Sequence, residues 1–233
     1  MTKIAITLAA AAAFTGCNIS SMPTGPVQYD SKVIDRDASQ SAHVNLNMGA
    51  GDLKVSSGTE KFLRAYFTYN APQLKPNVHY STNGGLASLN IDQPESHAHI
   101  GHVKYEWDLR LNKEIPLDLD AHFGAGEAQL DLGGMNLRRV GVEMGVGQLS
   151  LDLRGAPTHD YSVSIHGGVG EAEIKLPSTV GIEATAEGGI GEISVNGLTK
   201  EGGRWVNEAL RNPGVKVHLD VHGGIGAIHI RAE

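Results

Sequence analysis

Apolar and polar residues alternate along most of this chain, and at intervals a Gly-Xaa-Gly triplet interrupts the alternation. The triplet occurs as Gly49-Ala50-Gly51, Gly124-Ala125-Gly126, Gly145-Val146-Gly147, Gly168-Val169-Gly170, Gly189-Ile190-Gly191 and Gly224-Ile225-Gly226. Aligned on these glycines, the flanks match without gaps. Three residues before the triplet stand Leu46, Ala121, Val142, Ile165, Ala186 and Val221; four after its first glycine stand Leu53, Ala128, Leu149, Ala172, Ile193 and Ile228. Two positions further out stand Val44, Leu119, Val140, Val163, Ala184, Leu219 and Val55, Leu130, Leu151, Ile174, Val195, Ile230. All four columns are apolar. A period of two belongs to a half-buried strand and not to a helix, so each unit reads as strand, tight turn, strand. Glycine suits the turn, because a sharp change of direction needs backbone angles that a side chain opposes.

From Gly124 onward the triplets start 21, 23, 21 and 35 residues apart. A near-constant period of that length marks stacked repeats, the last interval carrying an insertion. The pattern predicts an all-β fold: a β-solenoid, or β-helix, of stacked Gly-Xaa-Gly repeats, preceded by a β-rich module. A second reading stays open, in which each unit is a hairpin whose loop, Gly145 to Gln148, pairs Met144 with Leu149, and the hairpins form a sandwich or meander. The triplet is not a dinucleotide loop, since no third glycine completes that motif and no helical pattern follows. Gly167-Gly168-Val169-Gly170 begins like a calcium-binding nonapeptide repeat, but Ala172 stands where its Asp belongs.

Two polar columns accompany the apolar ones. Before the glycines the residues are Asn47, His122, Glu143, His166, Glu187 and His222; after them, Asp52, Glu127, Gln148, Glu171, Glu192 and Ala227. In a parallel stack following chain order, each His of the first column lies about 5 Å from a Glu, a neighbour that favours the protonated ring. The alternative is a solvated face. The second column reads as a solvated rim that discourages edge-to-edge aggregation, or as a strip for cations or a partner.

Residues 1–16 carry Lys3, an apolar run from Ile4 to Phe14 and a small residue before Cys17, the pattern of a signal peptide; the run is too short to span a bilayer. Phe14-Thr15-Gly16-Cys17 resembles the lipobox of bacterial lipoproteins, with Phe14 in place of the usual Leu. That resemblance implies a Cys17 carrying palmitate-type acyl chains on sulfur and on its amino group, which would fix the chain stably to a membrane where one acyl chain would not. Cys17 is the only cysteine, so an internal disulfide is excluded. Residues 17–27, with Pro23, Gly25 and Pro26, read as a linker. With Asn18 and not Asp after the cysteine, the lipoprotein resemblance implies the outer membrane where the organism has one, facing periplasm or surface. Loss of Lys3 with the signal takes the formal charge from -7 to -8, which argues against nucleic acid or anionic lipid as the main ligand.

Between the first two triplets lie strand candidates Phe62 to Tyr69, Val78 to Ser81, Leu86 to Ile91 and Val103 to Leu111, separated by Pro72, Pro76 and Pro94. Asn47-Met48-Gly49-Ala50-Gly51-Asp52-Leu53, Tyr69-Asn70 with Pro76, Val78 and Tyr80, Trp107-Asp108-Leu109-Arg110-Leu111-Asn112 and Ile115-Pro116-Leu117-Asp118-Leu119 resemble the N-terminal module of the bacterial toast-rack family. The later repeats, with Gly202 to Asn207 ahead of Val217 to Gly226, resemble the same family and adhesin-like cell-surface domains. The module is then residues 28–116 and the solenoid residues 117–233. The resemblance implies a β-solenoid surface domain and brings no catalytic residues.

The chain shows no nucleophile elbow, no His-Glu-Xaa-Xaa-His zinc spacing and no phosphate loop, so no enzyme activity, cofactor or metal is expected. His97, His99 and His102 form a cluster that reads as metal ligands or as solvated loop residues. Trp107 and Trp205 read as sugar-stacking platforms or as core. The expected function is a lipid-anchored, non-catalytic surface for an envelope protein or glycan. The alternative is a polysaccharide-binding or polysaccharide-active β-helix, whose mark would be outward carboxylates beside aromatics in a groove. Oligomeric state is not legible.

Overall fold

Each Gly-Xaa-Gly unit folds as one long strand bent at its glycines, and the units lie side by side in parallel. The computed structural model describes residues 23–95, 103–212 and 214–233. Cys17, residues 1–16 and the His97, His99 and His102 cluster lie outside the described residues. The strands are β1 (Gln28–Ile34), β2 (Ser41–Ser57), β3 (Leu63–Tyr69), β4 (Asn77–Asn83), β5 (Leu86–Asp92), β6 (Tyr105–Leu111), β7 (Leu117–Asp131), β8 (Leu137–Asp152), β9 (Tyr161–Leu176), β10 (Gly181–Asn196), β11 (Thr199–Glu201), β12 (Arg204–Val206) and β13 (Lys216–Ala232).

The bent strands β2, β7, β8, β9, β13 and β10 form the rungs of the β-solenoid, each with a first arm before its glycines and a second arm after. Their glycines are in register: Gly51 with Gly126, Gly126 with Gly147, Gly147 with Gly170. The hairpin reading falls here. Met144 pairs with Phe123 and Gly167, and Leu149 with Ala128 and Ala172, all on neighbouring rungs. The physical reason is that stacking pairs the backbone of both arms with adjacent rungs and lets the apolar columns of the two arms face each other across one core.

The spatial order differs from the chain order. The last repeat, β13, lies between β9 and β10, parallel to both, so β10 is the terminal rung. The long last interval explains this. Its insertion forms β11 and β12, and β12 lies antiparallel against Glu183 and Ala184 of β10 before the chain returns to fill the inner place. Asn207 pins the detour, its side-chain oxygen accepting from the Ile182 and Leu210 amides and its nitrogen donating to the Val180 carbonyl.

At the other end the two arms part company. The first arm of β2 pairs with β5, which β4 backs, while its second arm pairs with β6, which β3 and β1 back. The core therefore fills a wedge between two sheets that meet along the glycines. Val44, Leu46 and Val55 of β2, with their counterparts on each inner rung, are buried in it.

From β7 onward neither glycine of a triplet tolerates a side chain, whereas at β2 only Gly51 is as tight, a Cβ on Gly49 meeting the Gln93 side chain at an ordinary 3.5 Å. A Cβ on Gly145 would lie 2.3 Å from the Gly124 carbonyl oxygen, and one on Gly147, at φ +146°, 1.8 Å from that of Gly126. Bent rungs nest this closely only where the corner carries no Cβ.

Candidate binding faces

Because side chains alternate across a strand, the residues that do not enter the wedge cover the outer faces of the two sheets. On the second-arm face lies a shallow groove of about 650 Å³, lined among others by Asp52, Tyr66, Glu106, Asp108, Glu127 and Glu171. Strand register sets its acidity: Asp52 pairs with Glu106 on one side and Glu127 on the other. Partial burial first, then these two carboxylates, push the Asp52 carboxyl above the usual range. Further along, Ala227 separates Glu171 from Glu192, because β13 intervenes, and His229 Nε2 lies 3.6 Å from Glu171. The chain-order column therefore overstated the crowding of like charges at that end.

The first-arm face carries the His and Glu column, again reordered. The spatial sequence is Asn47, His122, Glu143, His166, His222, Glu187. His122 Nδ1 lies 3.0 Å from Glu143, and His222 Nδ1 lies 3.6 Å from Glu187. His166, however, has Glu143 on one side only; on the other its ring stacks on that of His222 at 5.3 Å between centroids and 15° between planes. The strict alternation is thus overturned by the placing of β13. His222 also approaches Asp220, whose carboxyl is held below its usual range chiefly by the Thr185 hydroxyl and then by His222. Among the described residues no group of three or more His, Cys, Asp or Glu side chains is arranged to hold a metal ion.

The two tryptophans are not open platforms. Trp107 is 1% exposed and meets Phe67 and Tyr105 edge-on in the core. Trp205 is half-buried against the terminal rung, with Lys200 Nζ 4.7 Å from its ring centre. The aromatic in the acidic groove is Tyr66, with the Arg110 guanidinium 5.7 Å from its ring centre.

A family profile described as the N-terminal domain of toast_rack, DUF2154, matches residues 23–175. The chain belongs to the toast-rack family. The crystal structure of a candidate cell adhesion protein from Clostridium sporogenes ATCC 15579 is similar over its whole length, with a TM-score of 0.86, 31% identity, and 89% of this chain and 100% of that one covered. A candidate adhesin from Bacteroides fragilis NCTC 9343 is remote, at 11% identity and a TM-score of 0.37 over 88% of this chain and 98% of that one. No curated protein matches.

In this toast-rack protein the profile runs from the first described residue through four rungs, so β2, β7, β8 and β9 belong to the matched region as well as to the stack. Tyr66, Glu106 and Asp108 went unnoticed as groove residues in the sequence. The signal was available: each sits between inward residues, Tyr66 between Ala65 and Phe67, Glu106 and Asp108 either side of Trp107. That β6 lies beside β2 was not, since 47 residues separate the two strands.

Proposed function

We propose that this toast-rack protein is a non-catalytic binding module of the cell envelope, anchored through an acylated Cys17, and that it takes its partner in the acidic groove of the second-arm face. The observation that carries this reading is the groove itself: carboxylates from β6, β2, β7 and β9 line an open channel, and the strand register sets their spacing. Such a surface attracts a basic segment and fixes its register by charge. The similarity to a candidate cell adhesion protein supports a binding role. Capture from envelope extract tests it. The wild-type chain should retain a partner that the Asp52→Asn/Glu106→Gln/Glu127→Gln variant loses; retention by the triple variant would sink the groove as the site. Anchoring is tested separately: Cys17→Ala should release the protein or leave its precursor unprocessed, and wild type that takes up no labelled palmitate refutes the anchor.

A glycan is the second reading, because Tyr66 stands beside Glu106 and Asp108 in the groove as a sugar platform would. Binding on a glycan array that Tyr66→Ala abolishes would favour it over a basic protein.

A further inference from the structure

The middle residues of the triplets form one continuous apolar edge along the outside of the glycine corners. In spatial order they are Ala50, Ala125, Val146, Val169, Ile225 and Ile190. All are exposed, Val146 54%, Val169 43%, Ile225 52% and Ile190 71%. Scattered exposed aliphatics are ordinary. These are stacked one strand apart, about 4.8 Å, in a strip about 24 Å long.

The chain's N-terminal end meets the same edge. The Gly25 amide donates to the Asn70 carbonyl. Asn70 follows Tyr69, which pairs with Tyr105, whose carbonyl oxygen would lie 2.4 Å from a Cβ on Gly51. Pro23, whose carbonyl accepts from Gln73, is thus at the level of the corners. Six residue steps separate it from Cys17, a reach of at most about 20 Å. Exposed Tyr29 and Lys104 lie at this end too, residue types that sit at the headgroup level of a membrane.

We propose that the glycine-corner edge rests on a phospholipid surface, with Val146, Val169, Ile225 and Ile190 entering the headgroup layer. The proposal rests on the Cys17 anchor, whose short tether ends at the level of this edge. It also accounts for the gradient in side-chain size. Near the anchored end the edge carries alanine, and the larger aliphatics come where the tether no longer holds the protein down. Glu143 and Glu187 flank the edge on the first-arm side, and Glu127, Glu171 and Glu192 on the second-arm side. These carboxylates oppose an anionic surface, so the surface is a zwitterionic one. With the edge seated on lipid, both arms project away from it and the acidic groove stays open.

The test couples the full chain through Cys17, its only cysteine, to a maleimide-bearing lipid in phosphatidylcholine vesicles containing brominated acyl chains. This holds the protein at the surface whether or not cells acylate it. Tryptophan fluorescence is then read in Val169→Trp, Ile190→Trp and, at the far end of the arms, Lys113→Trp, each against the wild-type background. Quenching at positions 169 and 190 and not at 113 is expected, with loss at 190 when Val169→Asp and Ile225→Asp are added, and weaker quenching in phosphatidylglycerol vesicles. Equal quenching at all three positions, or none, overturns the lipid seat and leaves the anchor untouched. Absent quenching together with a dimer mass by light scattering would assign the edge to a second copy instead. Quenching at 169 and 190 in coupled protein, with no palmitate uptake in cells, would keep the seat and remove the natural anchor.

Discussion

The first three rungs and the last three solve the same corner in opposite ways. In β2, β7 and β8 the residue before the glycines is Met48, Phe123 or Met144, buried inside the wedge, and the middle residue outside is Ala50, Ala125 or Val146. In β9, β13 and β10 the inner residue is Gly167, Gly223 or Gly188, and the outer one Val169, Ile225 or Ile190. The inside of the corner empties at β9, while outside it the step from alanine to a larger aliphatic comes one rung earlier, at Val146. What remains within is a cavity of about 60 Å³ bordered by Met144, Ile165, Ala172, Val221 and Ile228. The ends differ likewise. At the β2 corner the Gln93 side chain accepts from the Gly49 and Ala50 amides, an end cap of the kind stacked repeats need. On the outer side of the second arm of β10 no strand pairs among the described residues, and Ile193, whose counterparts on other rungs are buried, is 37% exposed. The difference teaches that one half is built for its own stability while the other keeps apolar surface available.

A buried charge should separate the halves most sharply. Leu151→Asp, in an apolar column at 1% exposure, should cost about 4 kcal/mol and loosen β7 and β9 as well as β8 in hydrogen exchange. Val195→Asp, the equivalent on half-exposed β10, should cost less and loosen mainly its own rung. Loosening confined to β8 in the first variant would count against a cooperative stack.

Next in size comes the corner backbone. Gly147→Ala, strained in φ and thrust against the Gly126 carbonyl, should lose about 3 kcal/mol in urea unfolding. Gly191→Ala meets Gly226 as closely, but the terminal rung has room to swing outward, and the loss should be smaller.

The inner corner gives a milder contrast. Met144→Ala should cost about 2 kcal/mol. Gly167→Ala, whose Cβ would find the Met144 methyl at an ordinary 3.6 Å, should change stability by less than about 1 kcal/mol. A large loss there would mean that the hollow corner is required by packing.

The smallest effect is electrostatic. The folded Asp52 carboxyl has its pKa raised above the unfolded value, mainly by burial and then by Glu106 and Glu127. The native state therefore holds this proton to higher pH, and stability due to the group falls as pH rises through the carboxylate range. Asp52→Asn should gain on wild type as pH rises from roughly 3 to 7, levelling off once wild-type Asp52 is fully ionised. An unchanged difference over that range would remove the carboxylate crowding.

The repeat, its strand-turn-strand period and the wedge-facing residues were all legible in the chain, because a strict period of two set on glycines specifies which side of every strand must be buried. Val44, Leu119, Val163 and Leu219 needed no structure to be placed in the core. The neighbours of each rung were another matter. Parallel strands with the same apolar columns pair equally well in any order, so nothing local tells β10 from β13 as the rung beside β9. The choice was made by the insertion, where Asn207 binds the Ile182 amide and β12 covers the outer first arm of β10. That one placement set His166 against His222, parted Glu171 from Glu192, and left Ile190 at the free end of the apolar edge. The acidic groove has the same origin: Glu106 comes beside Asp52, and Asp108 beside Lys54, only through a β6 to β2 pairing between strands far apart in the chain, a contact that residue pattern alone does not encode.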